Sequence, residues 1–60
     1  PDRVMMKDGQ VVVVDFKFGK ENLQYNKQVK RYMQLLTKMG YKNITGYLWY
    51  VDEELIVKVK

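Results

Sequence analysis

Two carboxylates and one ammonium carry the chemistry open to this chain. Asp15 and Lys17 sit at the end of the run Val11-Val12-Val13-Val14-Asp15-Phe16-Lys17-Phe18. In a strand, alternate residues share a face, so both charges project the same way. Upstream, Asp8-Gly9 separates residues 2–7 from residues 10–18, both rich in valine, methionine or phenylalanine. Asp-Gly between such runs predicts a hairpin with a type I′ turn. A two-residue loop pairs Lys7 with Gln10, Met6 with Val11, Val4 with Val13 and Asp2 with Asp15. A four-residue loop preserves that register and a three-residue loop breaks it. Asp2 and Asp15 then become cross-strand neighbours, with Cβ atoms roughly 5 Å apart.

Opposed carboxylates repel and destabilise a hairpin. One can stay protonated, Lys17 can partly neutralise them, or a divalent cation can bind both. Hard oxygen ligands of this kind suit Mg²⁺ or Mn²⁺. A lysine beside such an ion is placed to orient water or to stabilise charge on a phosphate. The plainer reading makes Asp2 a frayed residue and Asp15-x-Lys17 an exposed strand end, since the bare tripeptide is common.

These groups need elements to hold them. On a wheel of about 100° per residue, Tyr25, Val29, Tyr32, Leu35, Leu36 and Met39 share one arc, with Met33 at its edge. Lys27, Lys30, Arg31, Gln34 and Lys38 fill the opposite arc. Leu23 lands among the polar residues, so the helix is expected to begin near Gln24. Gly40 is a good residue for its C-terminal cap, and Tyr41 can close it. Strand character resumes over residues 43–51, turns at Asp52-Glu53 and ends over residues 54–58. The order is β-β-α-β-β, an α+β domain spanning 1–60 with one helix on a mixed sheet. The second strand looks apolar on both faces, as in a central strand. One helix covers one face, so a missing segment, a second copy or a partner chain is expected on the other. With Pro1-Asp2 already inside strand-like sequence, a fragment of a longer protein is expected.

Composition narrows the chemistry further. Sixty residues make at most one domain with a thin core. No cysteine and no histidine are present, which excludes thiolate sites, His-ligated metals and Ser-His or Cys-His triads within this chain. The lack of cysteine fits a reducing cytoplasm. The four valines are the longest purely apolar run, far short of the roughly 20 residues that span a bilayer, so no membrane partner is expected. Eleven basic and 7 acidic residues give +4, a mild lean toward a polyanion.

The order Pro1-Asp2, hairpin, hydrophobic strand, Asp15-Phe16-Lys17 resembles the PD-(D/E)XK nuclease signature. Gln28-x-x-x-Tyr32, within QYNKQVKRYMQLL, is similar to the extra motif of its RecB and AddB exonuclease branch. The likeness covers residues 1–39, and residues 43–59 fit only as generic closing strands. It implies a restriction-endonuclease-like core that lacks its usual leading helix and strand, where another acidic ligand and, in this branch, a histidine are found. It also implies a Mg²⁺- or Mn²⁺-dependent deoxyribonuclease, part of a bacterial cytoplasmic helicase-nuclease of DNA repair and recombination. Asp2 and Asp15 would ligate the metal, with the Phe16 carbonyl as a further ligand. Lys17 would assist the attacking water. Gln28 and Tyr32 would support the site or contact DNA.

The wheel places Gln28 inside the apolar arc, one turn before Tyr32. A glutamine buried there needs a hydrogen-bond partner. Lys27, Lys30 and Arg31 suit phosphate contact or a plain solvated helix face. Tyr47, Trp49 and Tyr50 suit core and edge packing better than base stacking. Met5, Met6, Met33 and Met39 are most simply core filler. The competing function is a non-catalytic DNA-binding or protein-docking module of the same fold.

Overall fold

Asp8 and Gly9 both take positive φ, 52° and 80°. That is the type I′ geometry the Asp-Gly pair favours, and it matches the right-handed twist of the flanking strands. The turn joins β1 (Arg3–Lys7) to β2 (Gln10–Lys17) in the computed structural model, which describes residues 1–60. The register is the expected one, with Lys7 opposite Gln10, Met6 opposite Val11 and Val4 opposite Val13.

Helix α1 (Leu23–Lys38) follows. Asn22 caps its start by accepting the Gln24 amide at 2.8 Å. The helix therefore begins one residue before the expected point, and Leu23 is exposed in its first turn. At the other end the Gly40 amide donates to the Thr37 carbonyl and the Tyr41 amide to the Leu36 carbonyl. This is a Schellman cap, with Gly40 at φ 99° in the left-handed position.

Strands β3 (Ile44–Tyr50) and β4 (Leu55–Val59) complete a four-stranded sheet of order β1-β2-β3-β4. The outer pairs are antiparallel, and β2 and β3 are parallel, with α1 as the crossover. The fold is the expected α+β arrangement, a mixed sheet with one helix on it. No helix is long and apolar enough to cross a membrane.

The core lies between α1 and one sheet face. It comprises Val11, Val13, Val29, Leu36, Leu48, Tyr50 and Val59. Each large apolar side chain buried there is worth about 1.5–3 kcal/mol. Gly46 lets the helix approach closely. A Cβ at that position would stand 2.8 Å from Val29 Cγ1 and also meet Met33 Sδ. The helix rests mainly on β3, touches β2 and β4, and does not reach β1.

That offset corrects three expectations. Leu35 and Met39 are exposed, because the flank of α1 toward β1 has no sheet beneath it to bury against. Gln28 is exposed for the same reason and needs no buried partner. Among the methionines only Met33 packs on the core; Met39 and Met6 lie beyond the contact of helix and sheet, and Met5 is exposed because it points to the open face.

The second strand is not buried on both sides. Val11, Val13 and Asp15 face the helix and are buried. Val12 and Val14 are half-buried on the opposite face, and Phe16 is exposed. There Phe16 meets Trp49 edge to face, with ring centroids 5.5 Å apart. Met5, Val14, Tyr47 and Ile56 join them in an open apolar hollow of about 400 Å³, bordered by Arg3. Of the three aromatic residues in β3, only Tyr50 enters the core.

Candidate functional site

The β1–β2 ladder stops at Arg3 and Val14, and one step beyond it lie Asp2 and Asp15. By continuation of the register they form a non-hydrogen-bonded pair, where opposed side chains come closest. Their repulsion is relieved by the backbone. The Asp2 amide donates to Asp15 Oδ1 at 2.7 Å, and the Phe16 amide donates to Asp2 Oδ2 at 2.8 Å. The α-ammonium of Pro1 lies 3.7 Å from the same Asp15 oxygen. Each carboxylate thus has one oxygen fixed by an amide from the opposing strand. Neither second oxygen accepts a hydrogen bond from the protein; Asp2 is an exposed residue, and the free oxygen of Asp15 keeps some contact with solvent.

In an extended strand the N–H and C=O of one residue point to the same edge. The Phe16 amide faces Asp2, so its carbonyl also turns toward the β1 edge and away from β3. The residues expected to hold a metal therefore supply two free carboxylate oxygens and one carbonyl at a single strand end. These are hard oxygen donors, and Mg²⁺ is commonly held by one or two carboxylates while keeping several waters. No group of three or more His, Cys, Asp or Glu converges anywhere in the molecule. The donor set fits a hydrated Mg²⁺ or Mn²⁺.

Helix α1 supplies the rest of the site. Its flank toward β1 overhangs the pair, and a pocket of about 430 Å³ is lined by Pro1, Asp2, Asp15, Lys17, Gln28, Val29 and Tyr32. Five residues chosen from sequence motifs thus share one concavity, although they come from the segment just before β1, from β2 and from the helix. Gln28 and Tyr32 lie one turn apart on α1, which brings both to the pocket edge.

The basic residues divide. Arg31 lies in an adjoining hollow of about 480 Å³ with Gln28, Tyr32, Gln34, Leu35 and Lys38, so it borders the site. Lys30 lines a different hollow with Tyr41, Lys42 and Lys60 near the other end of the helix. Lys27 is exposed and lines neither.

Lys17 is where sequence reasoning is least complete. Its ammonium forms no ion pair with either carboxylate. It lies 4.5 Å from the centroid of the Tyr25 ring. Tyr25 was visible in the sequence only as one more residue of the apolar arc. The reciprocal amide bonds of the aspartates also escaped sequence reasoning, because they depend on where the ladder stops.

Charge is segregated along the strands. Parallel β2 and β3 bring residues 19–22 and 51–54 to the end that carries Asp2 and Asp15. Glu21, Asp52, Glu53 and Glu54 lie on these segments beside Lys20 without clustering, and the Asp52 carboxylate accepts the Gly19 amide at 3.2 Å. Acidic residues outnumber Lys17, Lys20 and the Pro1 ammonium at this end, a balance that favours cations.

No family model, no curated protein and no solved structure matches this chain.

Proposed function

We propose that the chain is the core of a metal-dependent deoxyribonuclease that hydrolyses phosphodiester bonds, acting within a cytoplasmic helicase-nuclease polypeptide. The observation that supports this reading is the shared pocket of Asp2, Asp15, Lys17, Gln28 and Tyr32. Asp2 and Asp15 hold Mg²⁺ or Mn²⁺ through their free oxygens, with the Phe16 carbonyl as a third donor. When bound, the ion supplies Lewis-acid charge stabilisation and makes water more acidic. Lys17 places positive charge where the phosphate becomes more negative. Gln28 and Tyr32 position the backbone of the DNA strand at the pocket edge, and Arg31 neutralises an adjoining phosphate.

The test is degradation of DNA with Mg²⁺, comparing the chain with Asp15→Asn. Loss of Mg²⁺-dependent cleavage in the variant supports the assignment, and equal rates sink it.

One observation favours a second reading. The reciprocal amide bonds stabilise both carboxylates without any cation. A non-catalytic DNA-binding or docking module would keep that arrangement. It would bind DNA in a salt-sensitive way, indifferent to Mg²⁺ and to Asp15→Asn.

A further inference from the structure

We propose that Tyr25 is a positioning residue, whose ring holds the Lys17 ammonium away from the Asp2–Asp15 pair and keeps that pair open to a divalent cation. The cation half of this inference rests on the metal reading above; the positioning half does not.

Asp15 and Lys17 project from the same face of β2, two residues apart. That separation is within reach of a lysine side chain. A buried carboxylate attracts a nearby ammonium strongly, because solvent screens the pair poorly. Asp15 is largely buried, and its second oxygen, open at the pocket surface, accepts no hydrogen bond from the protein. An unrestrained Lys17 would therefore settle on Asp15. Instead its Nζ lies over the Tyr25 ring at 4.5 Å from the centroid, within the range of a cation–π contact.

The ring is itself held. Tyr25 belongs to the first turn of α1, half-buried against the core. It packs beside Tyr50 with ring centroids 6.4 Å apart at 42°. Tyr50 is among the most buried side chains of the fold, and its hydroxyl accepts the Asn22 amide at 3.3 Å. Asn22 caps the same helix. The start of α1 therefore carries both the ring and the anchor that orients it.

The consequence is electrostatic. With Lys17 on Tyr25, the one ammonium paired to the aspartates is that of Pro1, on the amide-bonded oxygen of Asp15, and the two free oxygens stay open to a cation. With Lys17 on Asp15, an internal ammonium takes the position a metal needs. Tyr25 acts through Lys17, its ring contacting that ammonium and Tyr50.

The test compares the chain with Tyr25→Phe, Tyr25→Leu and Tyr25→Leu/Lys17→Met. An aromatic ring beneath Lys17 shifts its Cε methylene protons upfield in the NMR spectrum. That shift is expected to persist in Tyr25→Phe and to vanish in Tyr25→Leu. Mg²⁺ titration by calorimetry is expected to show weaker binding in Tyr25→Leu by about two- to five-fold, the scale of one exposed cation–π contact. Removing the ammonium in the double variant restores the affinity, which a merely structural role of Tyr25 would not do. A Lys17 shift unchanged in Tyr25→Leu overturns the positioning role. A lost shift with unchanged Mg²⁺ affinity overturns the shielding of the pair. Absent Mg²⁺ binding in the parent chain overturns the metal reading and the cation half with it, while the ring shift still decides the positioning half. Should Tyr25→Leu fail to fold, Tyr25→Met keeps the bulk beside Tyr50 and answers the same question.

Discussion

Asp2 and Asp15 face each other across the open end of a hairpin, and each is held by the opposing strand. Asp15 accepts the Asp2 amide at 2.7 Å, and Asp2 accepts the Phe16 amide at 2.8 Å. The pair is both a clasp for the strand ends and the proposed metal ligand set. Those roles separate under substitution. Asp15→Asn keeps an acceptor for the amide and removes the repulsion, so stability should stay within about 1 kcal/mol of the parent or rise. Asp15→Ala removes the acceptor and should cost about 1–3 kcal/mol. Mg²⁺-dependent cleavage should be lost in both. Urea unfolding beside a DNA degradation assay checks the split.

Gly46 lets helix and sheet pack closely. A methyl there would stand 2.8 Å from Val29 Cγ1 and also meet Met33 Sδ. Gly46→Ala should destabilise the fold by about 1–3 kcal/mol through overpacking. Adding Met33→Ala should recover part of that loss, since the methionine end is one of the two obstacles. Thermal unfolding of the single and double variants decides it.

Arg31 and Lys27 lie on the same basic arc, but only Arg31 lines the hollow adjoining the site. If Arg31 contacts a phosphate, Arg31→Gln should lower the slope of log affinity against log salt by about 0.7–0.9. Lys27→Gln, outside both hollows on that flank, should change the slope less. Fluorescence anisotropy with labelled DNA across a salt series measures both.

The two sheet faces should respond differently to truncation. Ile56 is exposed on the open face, and Ile56→Thr should alter stability by less than about 0.5 kcal/mol. Leu48 is fully buried beneath the helix, and Leu48→Ala should cost about 2–5 kcal/mol. An apolar dye should bind the parent chain at the Phe16–Trp49 face and bind Trp49→Ser more weakly.

Local signals were readable because each depends on few residues. Asp8-Gly9 specifies its turn, the turn specifies the register, and the register brings Asp2 to Asp15. The helix arc and the Gly40 cap are equally local. What sequence periodicity misses is where α1 sits on the sheet. A wheel finds the apolar arc, but only docking on β3 decides that Val29 and Leu36 are buried while Gln28, Leu35 and Met39 are not. The same displacement opens the pocket. Lys17 on Tyr25 lay outside sequence reasoning too, since β2 and α1 meet there only through the tertiary fold.

The sheet has one non-local seam. β1 with β2 and β3 with β4 are hairpins whose strands are close in sequence, whereas β2 meets β3 only after the chain has travelled through the whole of α1. Non-local pairing is the slow step in small domains, because the loop must be closed before its contacts form. Either hairpin can therefore form early, and the first already brings Asp2 to Asp15. Gln28, Tyr32 and the ring of Tyr25 arrive only when the seam closes beneath the helix at Gly46. On this topology the carboxylate pair is expected to form with its hairpin, and the pocket around it to be the last part of the site to be built.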